Sequence, residues 1–227
     1  MTEALTKLLT NIRKLELFSC LEGSIVQPEM LARFEKLENL TITGMETQFN
    51  DNSISALPQS LKTLMLHDFR PSSAALLRLP LSITYFHVPE STINIRWEHD
   101  DTTWFSRLTL LEYLGVADMT DRWMECVPPS LKMLNLICSE VTRAGLGKLA
   151  TTIESIRMVN GVGFKFGFYN RFTNLQDLEC WGNHGSLLLA TSSSTFRQLS
   201  RSLLSGSLEM LTVINTCLLH ANNVIYE

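Results

Sequence analysis

One phrase recurs along this chain. Its fullest form is Leu57–Phe69, LPQSLKTLMLHDF, built on Leu61-x-x-Leu64-x-Leu66. Val127–Leu136 repeats it as VPPSLKMLNL, and Leu79–Val88 repeats it more loosely as LPLSITYFHV. A phrase that returns at intervals in the twenties limits the fold more than any other feature here. It describes a unit too small to bury its own apolar face, stable only when stacked on further copies of itself.

Nine windows fit apolar-x-x-apolar-x-apolar. They begin at Ile12, Leu37, Leu61, Ile83, Leu111, Leu131, Ile153, Leu175 and Leu208. Successive starts lie 25, 24, 22, 28, 20, 22, 22 and 33 residues apart, so the period supports the register independently of the apolar anchors. Seven windows are preceded by a small polar residue, namely Asn11, Ser60, Ser82, Ser130, Thr152, Asn174 and Ser207, with Lys36 and Leu110 as the exceptions. Such residues suit a turn that feeds a strand.

This pattern resembles the leucine-rich-repeat family, over residues of about 8–220. The Leu-Pro-x-Ser-Leu phrasing is similar to the divergent, irregular repeats of protists and their relatives. The resemblance implies an α/β solenoid: a leucine-rich-repeat horseshoe with about nine short parallel strands on the concave face and mixed helix and loop crossings on the convex face. It also implies one repeat domain over residues 1–227. The family often places Asn or Cys eight residues after the first leucine. Here only Cys20 and Asn183 match, with Ser139 and Thr216 as substitutes, so a regular asparagine ladder is not expected.

Several crossings read as helices. Gln27–Phe34 has a proline near its start and helical apolar spacing. Ser72–Leu79 and Thr142–Leu149 are short candidates, and Ser194–Leu204 would fill the longest interval. Glu3–Leu9 reads as a short helix before the first window. Met45–Ala56 reads as polar and irregular. The C-terminal residues Leu218, Leu219, Val224 and Ile225 continue an apolar pattern, so a longer array or a terminal cap is open.

Composition excludes some function classes. The net charge of -4 argues against a nucleic-acid footprint, and no basic cluster suits an anionic membrane. No basic-then-apolar leader opens the chain, and no apolar run approaches the ~18 residues of a membrane span. The five cysteines contain no CxxC pair, which reads as free thiols in a reducing compartment. The expected location is intracellular, in the cytoplasm.

In each window the third, fifth and seventh residues face away from the core. These positions are rich in Tyr, Met and His in the middle repeats, residue types favoured at interfaces. The candidate partner surface comprises Met65, His67, Tyr85, His87, Tyr113, Met133, Asn135, Ile137, Arg157 and Trp181. Its centre is Met65, Tyr85, His87, Tyr113, Met133 and Ile137.

Chemistry finds little support. Glu98-His99-Asp100-Asp101, between Trp97 and Trp104, could suggest a ligand cluster, but consecutive residues do not converge on one metal. A solvated insertion loop anchored by the tryptophans is expected instead. Gly161–Phe168 lacks phosphate-loop spacing and reads as an aromatic crossing. Asn39-Leu40-Thr41 is a glycosylation sequon, but it lies on an expected strand. The sequence therefore predicts no enzyme, no cofactor and no metal site. The expected function is a scaffold that binds another protein through the concave face, with a place as a subunit of a larger assembly left open. The alternatives are a substrate-recognition subunit of a ubiquitin ligase and, less favoured, an enzyme or a nucleic-acid binder.

Overall fold

The computed structural model describes residues 11–18, 28–43, 49–67, 71–89, 103–159, 171–182 and 210–215. The chain divides into two compact units, residues 1–115 and 116–227.

In the first unit, strands β1 (Lys14–Phe18), β2 (Asn39–Thr43), β3 (Thr63–Leu66) and β4 (Tyr85–Val88) pair in parallel and in chain order. β5 (Tyr113–Ala117) begins at the end of this unit. The second unit pairs β6 (Met133–Ile137), β7 (Ser155–Val159), β8 (Asp177–Gly182) and β9 (Met210–Asn215) in the same way. Every one of these strands lies on one of the nine windows. The register aligns like with like, placing Leu40 beside Leu64, Leu64 beside Phe86 and Ile156 beside Leu178.

The hydrogen bonds explain why the spacing holds. At six junctions, the carbonyl of a window's second residue accepts the N–H groups of the second and third residues of the next window. Arg13 accepts from Glu38 and Asn39, Glu38 from Lys62 and Thr63, Lys62 from Thr84 and Tyr85, and Thr84 from Glu112 and Tyr113. In the second unit Lys132 accepts from Glu154 and Ser155, and Glu154 accepts from Gln176 and Asp177.

The recurring Leu-Pro-x-Ser-Leu phrase has a matching mechanism. A tight turn precedes the strand, with Leu61 N–H bonded to the Pro58 carbonyl, Ile83 to Pro80 and Leu131 to Pro128. Proline fits the opening of that turn because it fixes φ and its missing donor is not needed there. The serine then reaches backward. Ser60 Oγ donates to the Leu37 carbonyl at 2.8 Å and Ser82 Oγ to the Leu61 carbonyl at 2.6 Å. Thr152 Oγ1 makes a similar bond to the Pro129 carbonyl at 3.3 Å. Each tie satisfies a carbonyl belonging to the preceding repeat.

The inward residues form the core. Leu61, Leu64, Leu66, Ile83, Phe86, Leu111 and Leu114 are all fully buried in the first unit. Leu131, Leu134, Leu136, Ile153 and Ile156 do the same in the second. Burying each such side chain contributes about 1.5–3 kcal/mol relative to exposure.

The crossings supply the other wall. Among the described residues they carry α1 (Pro28–Leu31), α2 (Asp51–Ser55), α3 (Ser73–Leu76), α4 (Thr103–Arg107), α5 (Asp121–Met124) and α6 (Arg143–Leu146). α1, α3 and α6 fall inside the helices expected from sequence, each as a single turn. α2 corrects the reading of Met45–Ala56 as irregular. Asn50 caps it in a reciprocal box with Ser53, and Phe49 and Ile54 are wholly buried. α4 buries Trp104 and Phe105, which stack at 3.7 Å, with Trp104 edge-on to Phe86 at 5.7 Å. Trp104 thus anchors its crossing as expected; Trp97 and Glu98–Asp101 lie outside the described residues. So do Glu3–Leu9, Gly161–Phe168, Ser194–Leu204 and the positions Cys20, Asn183 and Thr216.

One tie between crossings recurs in both units. Asp51 Oδ1 accepts the N–H of Ser72, the cap of α3, at 3.0 Å. Asp121 Oδ1 accepts the N–H of Thr142, the cap of α6, at 2.6 Å, and Thr142 Oγ1 donates to Asp121 Oδ2 at 2.5 Å. Gly145 leaves room for this carboxylate, since a Cβ there would lie 2.1 Å from Asp121 Oδ1.

Two residues adopt positive φ at the eighth window position, where strands end: Asp118 at 56° and Cys138 at 47°. The N–H of Asp118 bonds to the Ile137 carbonyl, and that of Cys138 to the Val159 carbonyl. Ser139, one of the expected substitutes for asparagine, is buried and donates its hydroxyl to the Ile137 carbonyl at 3.2 Å. Within each unit, parallel strands in register, inward leucines and short crossings give a stacked fold of the leucine-rich-repeat kind.

Candidate functional site

The faces of β1–β5 that point away from the core differ along the first unit. Lys14 and Glu16 on β1 pair with each other at 2.7 Å, and Phe18 is 57% exposed. β2 presents Asn39, Thr41 and Thr43, and β3 presents Thr63, Met65 and then His67 just past its end. β4 presents Tyr85 and His87, and β5 presents Tyr113 and Gly115. The outward positions from β2 to Gly115 thus carry no acidic or basic side chain other than the two histidines.

The sheet brings together five of the residues expected from sequence. The Tyr85 and Tyr113 rings stack almost parallel, with centroids 3.9 Å apart and planes 4° apart. His87 lies edge-on to Tyr113 at 5.7 Å and to His67 at 6.0 Å. Met65 is directly beside His87 in the β3–β4 register. Tyr113 Oη lies 3.4 Å from His87 Nδ1. Parallel pairing explains the grouping, because outward residues of neighbouring strands stand side by side.

Gly115 seats this cluster, and sequence reasoning passed over it. A Cβ at this position would lie 2.0 Å from His87 Nδ1 and 3.0 Å from Tyr113 Oη. The absence of a side chain lets the imidazole lean over the next strand. The available signal was a glycine interrupting a strand, which marks a close approach.

All five side chains are half-buried, so each keeps an accessible edge. Burial, joined by the neighbouring Tyr113 hydroxyl, pushes the Tyr85 phenol above the ordinary tyrosine range. The cluster therefore offers neutral aromatic edges, a thioether and two imidazoles. This mixture suits contact with an apolar, hydrogen-bonding surface.

The second unit carries the remaining expected residues. Met133 is 40% exposed, Ile137 is half-buried and Arg157 is exposed. Asn135 corrects the expectation: it is only 8% exposed and is not presented for contact. It is a short side chain between Met133 and Ile137 on its own strand and opposite the longer Arg157 on β7. Trp181 lies on β8 in register with Val159 and Ile214.

A charged ladder flanks the strand entries of the first unit. Glu38 takes Arg13 at 2.6 Å on one side and Lys62 at 3.1 Å on the other. The Lys62 hydrogen bond and charge, with Arg13, hold the Glu38 carboxyl below the usual carboxylate range. These residues occupy the second window position, with the one carboxylate set between two cations.

Among the described residues, no group of three or more His, Cys, Asp or Glu side chains is placed to hold a metal ion. No helix among them is long and apolar enough to cross a membrane. Cys126 is half-buried and Cys138 is exposed.

No protein-family model matches the chain, and no curated protein matches it. Among solved structures, it is similar to an internalin from Listeria monocytogenes at 17% identity and a TM-score of 0.48. That match covers 90% of this chain and 62% of the internalin, so the chain spans less than two thirds of that protein's length. An internalin C2 from the same organism is 14% identical, with 92% of this chain and 84% of that one covered and a TM-score of 0.40. The fold assignment stands on the register and hydrogen bonding described above rather than on these likenesses.

Proposed function

We propose that the chain is a protein-interaction scaffold that binds its partner through the outward faces of its strands, centred on Met65, His67, Tyr85, His87 and Tyr113. One observation carries the reading: aromatic and sulfur side chains are ordered on the side of the strands that packs no core. Half-buried tyrosines lose little further freedom on binding and offer both apolar area and a polar tip. Tyr and Met are also enriched in the centres of interfaces. The proposal treats residues 1–227 as one repeat domain acting inside the cell. Met133, Ile137, Arg157 and Trp181 belong to its secondary contacts.

The test uses the full chain as bait in its native cells, alongside a Tyr85→Ala/Tyr113→Ala variant. A partner recovered with the natural chain should be reduced at least tenfold with the variant, while the thermal melt of the variant stays cooperative. Equal recovery would remove the cluster from the interface. Co-purification of a ubiquitin-ligase core would narrow the role to substrate recognition, and a stable assembly without one would make the chain a structural subunit.

A further inference from the structure

Two of the chain's five histidines, His67 and His87, meet on neighbouring strands. Their ring centroids are 6.0 Å apart and their planes are inclined at 77°. From this geometry we propose that His67 and His87 form a two-imidazole site for a borderline divalent metal of the zinc class.

The distances fit one shared ion. An imidazole nitrogen lies about 1.1 Å from its ring centroid and binds zinc at about 2.0–2.1 Å, which puts the ion about 3.2 Å from each centroid. The observed separation of 6.0 Å then corresponds to a nitrogen–metal–nitrogen angle of about 140°. A tetrahedral angle needs a separation of about 5.2 Å, reached by small rotations of two half-buried side chains.

The surroundings support the same reading. Metal-binding imidazoles have their second nitrogen oriented by a neighbouring polar group, and the Tyr113 hydroxyl lies 3.4 Å from His87 Nδ1. Gly115 leaves the space in which the His87 ring sits. The donor chemistry selects the metal. Imidazoles favour zinc, copper and nickel, whereas magnesium and calcium favour carboxylate oxygens, which the outward positions from β2 to Gly115 lack. Met65, beside His87 in register, is the nearest soft donor in sequence terms. With two protein nitrogens, the remaining positions take water, so the site is open and weaker than a four-ligand structural site. It stands independently of any partner.

The full chain, stripped with a chelator, is titrated with zinc by calorimetry. It is compared with His67→Asn, His87→Asn, and a control carrying His99→Ala, His184→Ala and His220→Ala. One zinc per chain is expected in the natural protein and in the control, with affinity at least tenfold lower in each single variant. The control, loaded with copper, should also show two coordinated imidazole nitrogens by pulsed electron paramagnetic resonance, a reading that needs no change at either ligand. No zinc binding by the natural chain, binding unaffected by both single variants, or a copper spectrum with fewer than two imidazoles would overturn the proposal.

Discussion

The two faces of strands β3–β5 share one backbone and obey different rules. On the inner face, Leu64, Leu66, Phe86, Leu114 and Val116 have almost no accessible surface, and like packs on like from strand to strand. On the outer face, Met65, His67, Tyr85, His87 and Tyr113 are half-buried and chemically unlike one another. The inner face must repeat because each unit is stable only against its neighbours. The outer face is free of that requirement, and the partner surface proposed above lies on it. The contrast teaches where substitution should damage folding and where it should damage only recognition.

The sharpest way to break this contrast is to truncate one residue on each side. Leu114→Ala should lower unfolding free energy by about 2–5 kcal/mol, as for other buried leucines. Met65→Ala, on the outward face of β3, should cost less than about 1 kcal/mol. Denaturant midpoints measure both, and equal losses would erase the distinction between the faces.

Gly115→Ala probes the place where the outer face has a packing rule of its own. The new Cβ would meet the His87 ring, which must swing away. The expected cost is about 1 kcal/mol, because a side-chain tip and not backbone has to move. The His87 ring signals in a nuclear magnetic resonance spectrum should shift, and unchanged signals would show that the glycine does not seat the ring.

Tyr85 sharpens the comparison through pH. Its phenol is raised in the folded chain, so the folded state prefers the protonated form. That contribution is full below the unfolded tyrosine value of about 10 and is lost as pH rises through the folded value. Thermal melts should therefore weaken above about pH 10 in the natural chain, and less so in Tyr85→Phe. Parallel pH profiles would show that burial of this ring does not govern its ionisation.

The smallest effect lies where strands leave the sheet. Cys138 holds φ at 47° without being glycine, a conformation that costs an ordinary residue about 1–2 kcal/mol. Cys138→Gly relieves that strain but adds chain entropy in the unfolded state, for a net gain of about 0.5 kcal/mol. A loss of stability would point to a packing role for the thiol.

The inner face was legible in the sequence because its constraint is periodic. Leu61, Leu64 and Leu66 announce a strand whose neighbours carry the same pattern. The outward positions were legible for the same reason, as the residues between the leucines. The Tyr85–Tyr113 stack and the seat at Gly115 were not, since they depend on which rotamers adjacent strands allow. Burial of Asn135 escaped for a related reason: alternation says which way a side chain points and not what covers it. The helices α2, α4 and α5 escaped although they are no shorter than α1, α3 and α6, because their crossings read as polar loops. The capping pair Asn50 and Ser53 was the available sign for α2.

Ser60 and Ser82 tie each repeat to the carbonyl of the one before, and they do so from equivalent positions. The chain between them is therefore interchangeable at its ends. Removing residues 61–82 would join Ser60 to Ile83, leaving a hydroxyl, a turn and an apolar strand start in the order the fold already uses. Gene duplication and loss in whole increments of this kind would lengthen or shorten such a stack without rewriting any junction. The serine is in this sense a splice mark, and it lets the number of repeats vary while each repeat stays intact.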